Sequence, residues 1–175
     1  MTKVTILARN VERLDQCRRE LEQLVSGTAN TVIKAMSVDV TDANAIVLAA
    51  PQVLQNHEQK PTRVYLFCCV GEAIPGKFSD LSPSVIETQI SSNYLSIIFT
   101  IHTFLPYLEK GTIVITSSAA GQIGVVGFSS YSSAKFALAG LAESLHMELL
   151  HKPDLHIQVV FLLTLIHPAL QKKTN

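Results

Sequence analysis

One stretch constrains this chain more than any other: residues 112–150, TIVITSSAAGQIGVVGFSSYSSAKFALAGLAESLHMELL. The β-branched run at 112–116 reads as a buried strand, Ser117 and Ser118 end it, and Gly121, Gly124 and Gly127 punctuate a loop of small residues. A long apolar-periodic helix follows. In an open α/β sheet that order places the strand's carboxyl end at a ligand crevice. Tyr131 and Lys135 stand four apart near the helix start, so their side chains share one face, a phenol beside an ammonium.

The chemistry of such a pair can be stated from the residue types alone. A tyrosine ordinarily titrates near pH ~10, and an adjacent cation favours the phenolate and brings it toward the working range. It can then give a proton to a developing alkoxide. Ser118, at the end of the preceding strand, is placed to hydrogen-bond the same substrate oxygen. A tyrosine and a lysine at this spacing also arise by chance, the phenol half-buried and the lysine snorkelling. The strand-end serine, the glycine loop and the helix onset together favour the chemical reading.

These residues resemble the catalytic portion of the short-chain dehydrogenase/reductase family. The resemblance implies that Ser118, Tyr131 and Lys135 are the catalytic serine, tyrosine and lysine, with Ser118 preferred to Ser117 on the family's spacing to the tyrosine, and that Tyr131 and Lys135 also bind the cofactor, Lys135 holding its ribose. It also implies that Asn93, in the NYL that begins there, is the helix asparagine that helps relay protons through water to the lysine; an ordinary helix asparagine is the alternative. Two blocks, PGKFSDLSPSVIETQISSNYL and AGQIGVVGFSSYSSAKFALAGLAESLHMEL, resemble more narrowly the branch that reduces 3-ketosphinganine to sphinganine with NADPH. From that branch follow the expectations of a lipophilic ketone substrate and of a place at the cytosolic face of the endoplasmic reticulum. Another lipophilic ketone is a second possibility. A third is a catalytically inactive chain acting as an interaction partner, with a homodimer formed through the long helices that carry Asn93 and Tyr131.

Composition narrows the classes. The 175 residues are the length of one domain, and 47% hydrophobic content is ample for a core. Fourteen basic and fourteen acidic residues balance to zero charge with no long block of either sign, which argues against a nucleic-acid surface. Cys68 and Cys69 are neighbours in an apolar strand, so they point to opposite faces, and Cys17 lies on a helix face; this is no disulfide framework. The six histidines are scattered and no CxxC or HExxH is present, so no metal site is expected. The longest apolar run, near 159–166, falls short of the ~20 residues of a membrane span. The amino terminus does not read as a signal peptide, and the residues alone argue for a soluble cytoplasmic chain.

Along the chain, residues 3–8 read as a buried strand and Asn10 as the cap of a helix whose apolar positions are Val11, Leu14, Cys17, Leu21 and Leu24, stopped at Gly27. Arg9 then sits at a strand's carboxyl end, where a guanidinium can hold a phosphate in a bidentate contact or simply be solvated. The resemblance implies the first, with Arg9 and Asn10 meeting a ribose 2′-phosphate and so selecting NADPH over NADH. Residues 31–38 are a second strand. After it, Asp39 and Val40 match the family's adenine-contacting pair, while Asp39 or Asp42 also reads as the cap of a helix over 42–57 that Pro51 interrupts. Residues 55–62 form a polar connection, 63–70 a third strand running into Gly71, 83–107 a long helix capped by Ser82, and 156–163 another strand. The family's Asn-Asn-Ala-Gly loop, part of the cofactor site, is here Cys68-Cys69-Val70-Gly71, so a weak thiol donor stands where an amide ties central strands together. Looser local structure is expected there.

The fold expected is α/β: one partial Rossmann-like domain over residues 1–175, a parallel sheet with flanking helices. Against the family it lacks the first strand with its TGxxxGxG phosphate turn and the C-terminal strand. The glycines at 121, 124 and 127 follow a later strand and do not substitute for that turn. Either the strands at 3–8 and 63–70 pair directly, or a seam remains between them.

Overall fold

A computed structural model describes residues 2–27, 30–54 and 63–163. Five strands, β1 (Thr2–Ala8), β2 (Thr31–Ser37), β3 (Val64–Cys68), β4 (Gly111–Ser118) and β5 (Leu155–Leu162), all run parallel to their neighbours. Between them lie α1 (Val11–Leu24), α2 (Ala43–Leu54), α3 (Pro83–Ile90), α4 (Ser96–Phe104) and α5 (Ser129–Glu148). The expected polar connection at 55–62 and the last twelve residues, 164–175, lie outside the described residues. Asn10 caps α1 by accepting the Arg13 amide at 2.8 Å, and Ser82 caps α3 by accepting that of Val85 at 3.3 Å, each satisfying an otherwise orphaned helix N–H. Pro51 does not end α2, which continues to Leu54.

The sheet is in two pieces: β1 pairs with β2, and β3, β4 and β5 form a second sheet in that order. Of the two outcomes expected for the strands at 3–8 and 63–70, the seam is the one found. The two pieces are bridged through helices. On one side of the three-stranded sheet, Ile113 and Ile115 of β4 are fully buried with Leu138 of α5 and Ile97 and Ile101 of α4. Such side chains each stabilise the fold by roughly 1.5–3 kcal/mol. A second cluster joins Ile46, Ala49 and Ala50 of α2 to Phe104 of α4, with Val38 and Val40 beyond β2 and with Leu66 of β3 packed against it, so α4 touches both pieces. Alternation along β3 turns Tyr65 and Phe67 to the other side, where they are 55% and 63% exposed. Parallel strands are usually covered on both faces; among the described residues this part of β3 is covered on one.

The expected helix over 83–107 is continuous in course but not uniform. A π-helical turn, Ser91–Leu95, separates α3 from α4 and centres on Asn93. An inserted residue of this kind widens a helix locally and turns side chains out of their regular register, often at a functional site.

Candidate active site

Lys135 anchors the site. It is 4% exposed, and its Nζ donates to the carbonyl of Thr116 at the end of β4, at 3.0 Å. The ammonium lies 5.8 Å from the centroid of the Tyr131 ring, one helical turn back, so the pair legible as a spacing is a pair in space. Burial draws the Lys135 ammonium below the usual lysine range, with the Cys69 sulfur acting weakly in the opposite direction. Phe128 meets Tyr131 edge to face at 6.2 Å between centroids.

Two contacts set how closely α5 approaches β4. Ser117 Oγ donates to the carbonyl of Lys135 at 3.1 Å, and Gly121 leaves room for both: a Cβ there would stand 2.6 Å from Ser117 Oγ and 2.9 Å from the Lys135 oxygen. The adjacent hydroxyl is differently employed. Ser118 Oγ accepts the Ala120 amide at 3.2 Å, which leaves its own hydrogen to donate.

The segment after β3 closes over Lys135. Gly71 is required by proximity, since a Cβ there would lie 2.5 Å from Asn93 Oδ1 and 3.2 Å from Lys135 Nζ. Asn93, fully buried in the π turn, accepts the Glu72 amide at 3.1 Å and donates to the Glu72 carbonyl at 2.7 Å. Its side chain therefore holds this segment. One turn earlier Gln89, also buried, accepts the Ile74 amide and donates to the Ile74 carbonyl, both at 3.2 Å. Cys68, on the family's asparagine position, is in ladder register with Ile115 and buried; burial pushes its thiol up to about 12, which leaves it an inert apolar side chain. Cys69 faces outward and accepts from the Thr116 hydroxyl at 3.5 Å, the opposite facing expected of neighbours in a strand.

A shallow cleft of about 70 Å³, open to solvent, runs from Gly71, Glu72 and Ser92 to Arg9, Asp39 and Val40. It spans both pieces of the sheet. Arg9 is mostly exposed and lies 3.8 Å from Asp39. Asp39 Oδ1 accepts from the hydroxyl and amide of Thr41 at 2.6 and 2.9 Å, and these bonds, with Arg9 adding to them, hold its carboxyl below the usual carboxylate range. The cap of α2 is Asp42, which accepts the amides of Asn44 and Ala45 at 2.9 and 3.3 Å, so the alternative left open between the two aspartates resolves to Asp42. Val40 is buried in the core cluster, so what it offers the cleft is main chain.

Asn10 is not among the residues that line this cleft, and its side-chain oxygen is engaged as the helix cap. Asn10→Ala is accordingly expected to lower unfolding stability by about 1 kcal/mol in a urea titration. Unchanged stability would mean that the cap is not what Asn10 supplies.

Sequence reasoning missed Gln89, Glu72, Ser92 and Thr41. Thr41 had a local signal, an aspartate two residues before a threonine, the spacing of a side-chain turn. Among the described residues no three histidine, cysteine or acidic side chains gather as a metal-binding group, and no helix is long and apolar enough to cross a membrane.

Comparison with known proteins bears on this geometry. The profile of the family described as short chain dehydrogenase matches residues 2–170. The chain is similar to the 3-ketodihydrosphingosine reductase of Bos taurus, 37% identical over 149 residues, a match covering 83% of this chain and 44% of that protein. It is also similar to the 3-dehydrosphinganine reductase of Danio rerio, 31% identical over 163 residues, covering 90% of this chain and 47% of that one. The chain thus spans less than half the length of these relatives. In fold it resembles an NADPH-bound short chain oxidoreductase from Pseudomonas aeruginosa PAO1, with a TM-score of 0.80 at 19% identity, covering 98% of this chain and 65% of that one.

Proposed function

Because the chain belongs to the short chain dehydrogenase family, we propose that it reduces a lipophilic ketone to an alcohol with NADPH, the ketone being 3-ketosphinganine. The observation that carries the reading is the buried Lys135 ammonium, held to Thr116 within 5.8 Å of the Tyr131 ring and lying beside Gly71, which lines a cleft that also takes in Arg9. The relatives named for the sphinganine reaction support the choice of substrate.

The residues present fit the 2′-phosphate, adenine and ribose of NADPH. Arg9 offers an exposed guanidinium to a 2′-phosphate, Asp39 and the main chain of Val40 offer acceptors and donors for an adenine, and Gly71 keeps the cleft floor free of a side chain beside Lys135. Lys135 has hydrogens beyond the one given to Thr116 with which to hold ribose hydroxyls. When bound, NADPH supplies the hydride. The chain's own part is to handle the proton and the orientation. Tyr131 gives its phenolic proton to the oxygen of the carbonyl under reduction, Ser118 donates a hydrogen bond to that same oxygen, and Lys135 stabilises the phenolate left behind. Asn93 keeps the Glu72 segment in place above Lys135. The loop in front of Tyr131 exposes Ile123 and Val126, at 65% and 96%, an apolar margin suited to a long-chain substrate and to action at the cytosolic face of the endoplasmic reticulum.

The test is calorimetric titration of the purified chain with NADPH and with NADH, followed by turnover of 3-ketosphinganine. NADPH should bind more tightly, and Arg9→Ala should abolish the difference by weakening NADPH about 10-fold or more while leaving NADH unchanged, as loss of a charge-assisted phosphate contact requires. A second reading is favoured by the divided sheet and by the exposed Phe136 and Met147 on α5: a non-catalytic partner that dimerises through α4 and α5. Folded chain that binds neither nucleotide would select that reading over the reductase.

A further inference from the structure

Gln89 and Asn93 stand one turn apart, and each reads the amide and carbonyl of one residue in the segment that crosses the site: Asn93 holds Glu72, Gln89 holds Ile74. The alternation of 72 and 74 is that of an extended strand, so two side-chain amides act as a short ladder where, among the described residues, no neighbouring strand supplies one. Gln89 does one thing more. Its Nε2 also donates to Ser130 Oγ at 2.8 Å, across a buried contact, and Ser130 immediately precedes Tyr131 in the first turn of α5. The far end of the segment is fastened as well, since the Gly76 amide donates to the carbonyl of Gly127 at 2.8 Å, in the loop that leads to Tyr131.

We propose that Gln89 is a positioning residue: through Ile74 and Ser130 it fixes the first turn of α5, and with it Tyr131, against the 72–76 segment, and so sets where a ketone must sit to meet the tyrosine. The inference rests on the reductase reading. Gln89 is 1% exposed on α3, is not among the residues that line the cleft, and among the described residues makes its hydrogen bonds to Ile74, Ser130 and Asn93 rather than to Tyr131, so its effect runs through the groups it holds.

The test uses Gln89→Leu, which keeps the bulk and removes every amide bond, Ser130→Ala, which removes one, and Gln89→Glu, which keeps an acceptor for the Ile74 amide and can accept from a reoriented Ser130 hydroxyl. Two readouts are taken: hydrogen exchange at the Glu72 and Ile74 amides, and kinetics with 3-ketosphinganine and NADPH. Gln89→Leu should speed exchange at Ile74 while Glu72, held by Asn93, stays protected. It should lower kcat/KM for the ketone about 10- to 100-fold, the scale expected of a misplaced reacting group, with NADPH affinity unchanged. Ser130→Ala should lower kcat/KM for the ketone with Ile74 still protected, and Gln89→Glu should recover part of both losses. Unchanged exchange at Ile74, or equal losses for ketone and NADPH, overturns the proposal. Should the wild-type chain prove inactive, the reductase reading fails and the exchange data alone decide whether Gln89 holds the segment. Should Gln89→Leu not fold, Ser130→Ala and Gln89→Glu decide by the same criteria.

Discussion

Replacing Tyr131 by phenylalanine is expected to lower kcat for ketone reduction by about 10²- to 10⁴-fold, the usual contribution of a positioned general acid. The substitution removes one oxygen and little else. Tyr131 is partly buried against Phe128 and its hydroxyl makes no hydrogen bond among the described residues, so the ring packing and the edge contact survive. Thermal midpoint and NADPH affinity should therefore match the wild type, and the loss should fall in kcat more than in KM, the pattern of an interaction realised only in the transition state. An equal drop in NADPH affinity would mean that the phenol serves binding rather than proton transfer. Unchanged turnover would remove Tyr131 from the chemistry altogether.

The parts of this site that were legible in the sequence are those encoded by short-range period. A spacing of four on a helix places Tyr131 over Lys135 whatever the rest of the chain does, and alternation along a strand separates Cys68 from Cys69. The β-branched run at 112–116 became the buried centre of the three-stranded sheet for the same local reason. What was not legible depends on groups far apart in sequence. Gln89 reads as one more polar residue on an amphipathic helix; only the fold shows it buried, fifteen residues from the peptide it clamps and forty-one from Ser130. The π turn is equally silent, because a change in hydrogen-bond register leaves no compositional trace around Asn93. The two aspartates show the limit within a single turn. Asp39 and Asp42 both suit a cap, and the choice is made by Arg9 and Thr41, which draw Asp39 toward the cleft and leave Asp42 to α2. The seam between β1 and β3 was open in the sequence reading, since strand order is a property of packing rather than of any one segment.

Lys135→Met is expected to separate function from stability in this fold. Methionine matches the lysine stem in length and is at home in an apolar pocket, but it carries neither the charge near Tyr131 nor a donor for ribose hydroxyls. Turnover should fall by about 10²- to 10⁴-fold, as for loss of the tyrosine, since one unit of proton-transfer machinery is disabled in both; NADPH affinity should fall with it, which the Tyr131→Phe variant does not do. Stability should move the other way. Burial lowers the Lys135 pKa from its ordinary 10.5, so between the folded value and 10.5 the unfolded chain binds more protons and stability rises with pH. Below the folded pKa the charged ammonium carries its full desolvation cost, offset by one bond to the Thr116 carbonyl. In urea titrations across that window, wild type should gain stability as the pH is raised, and Lys135→Met should lack this part of the gain while equalling or exceeding wild type at neutral pH. A variant that is less stable than wild type at neutral pH, with the slope retained, would mean that the Thr116 bond outweighs desolvation and that Lys135 holds the fold as well as the chemistry.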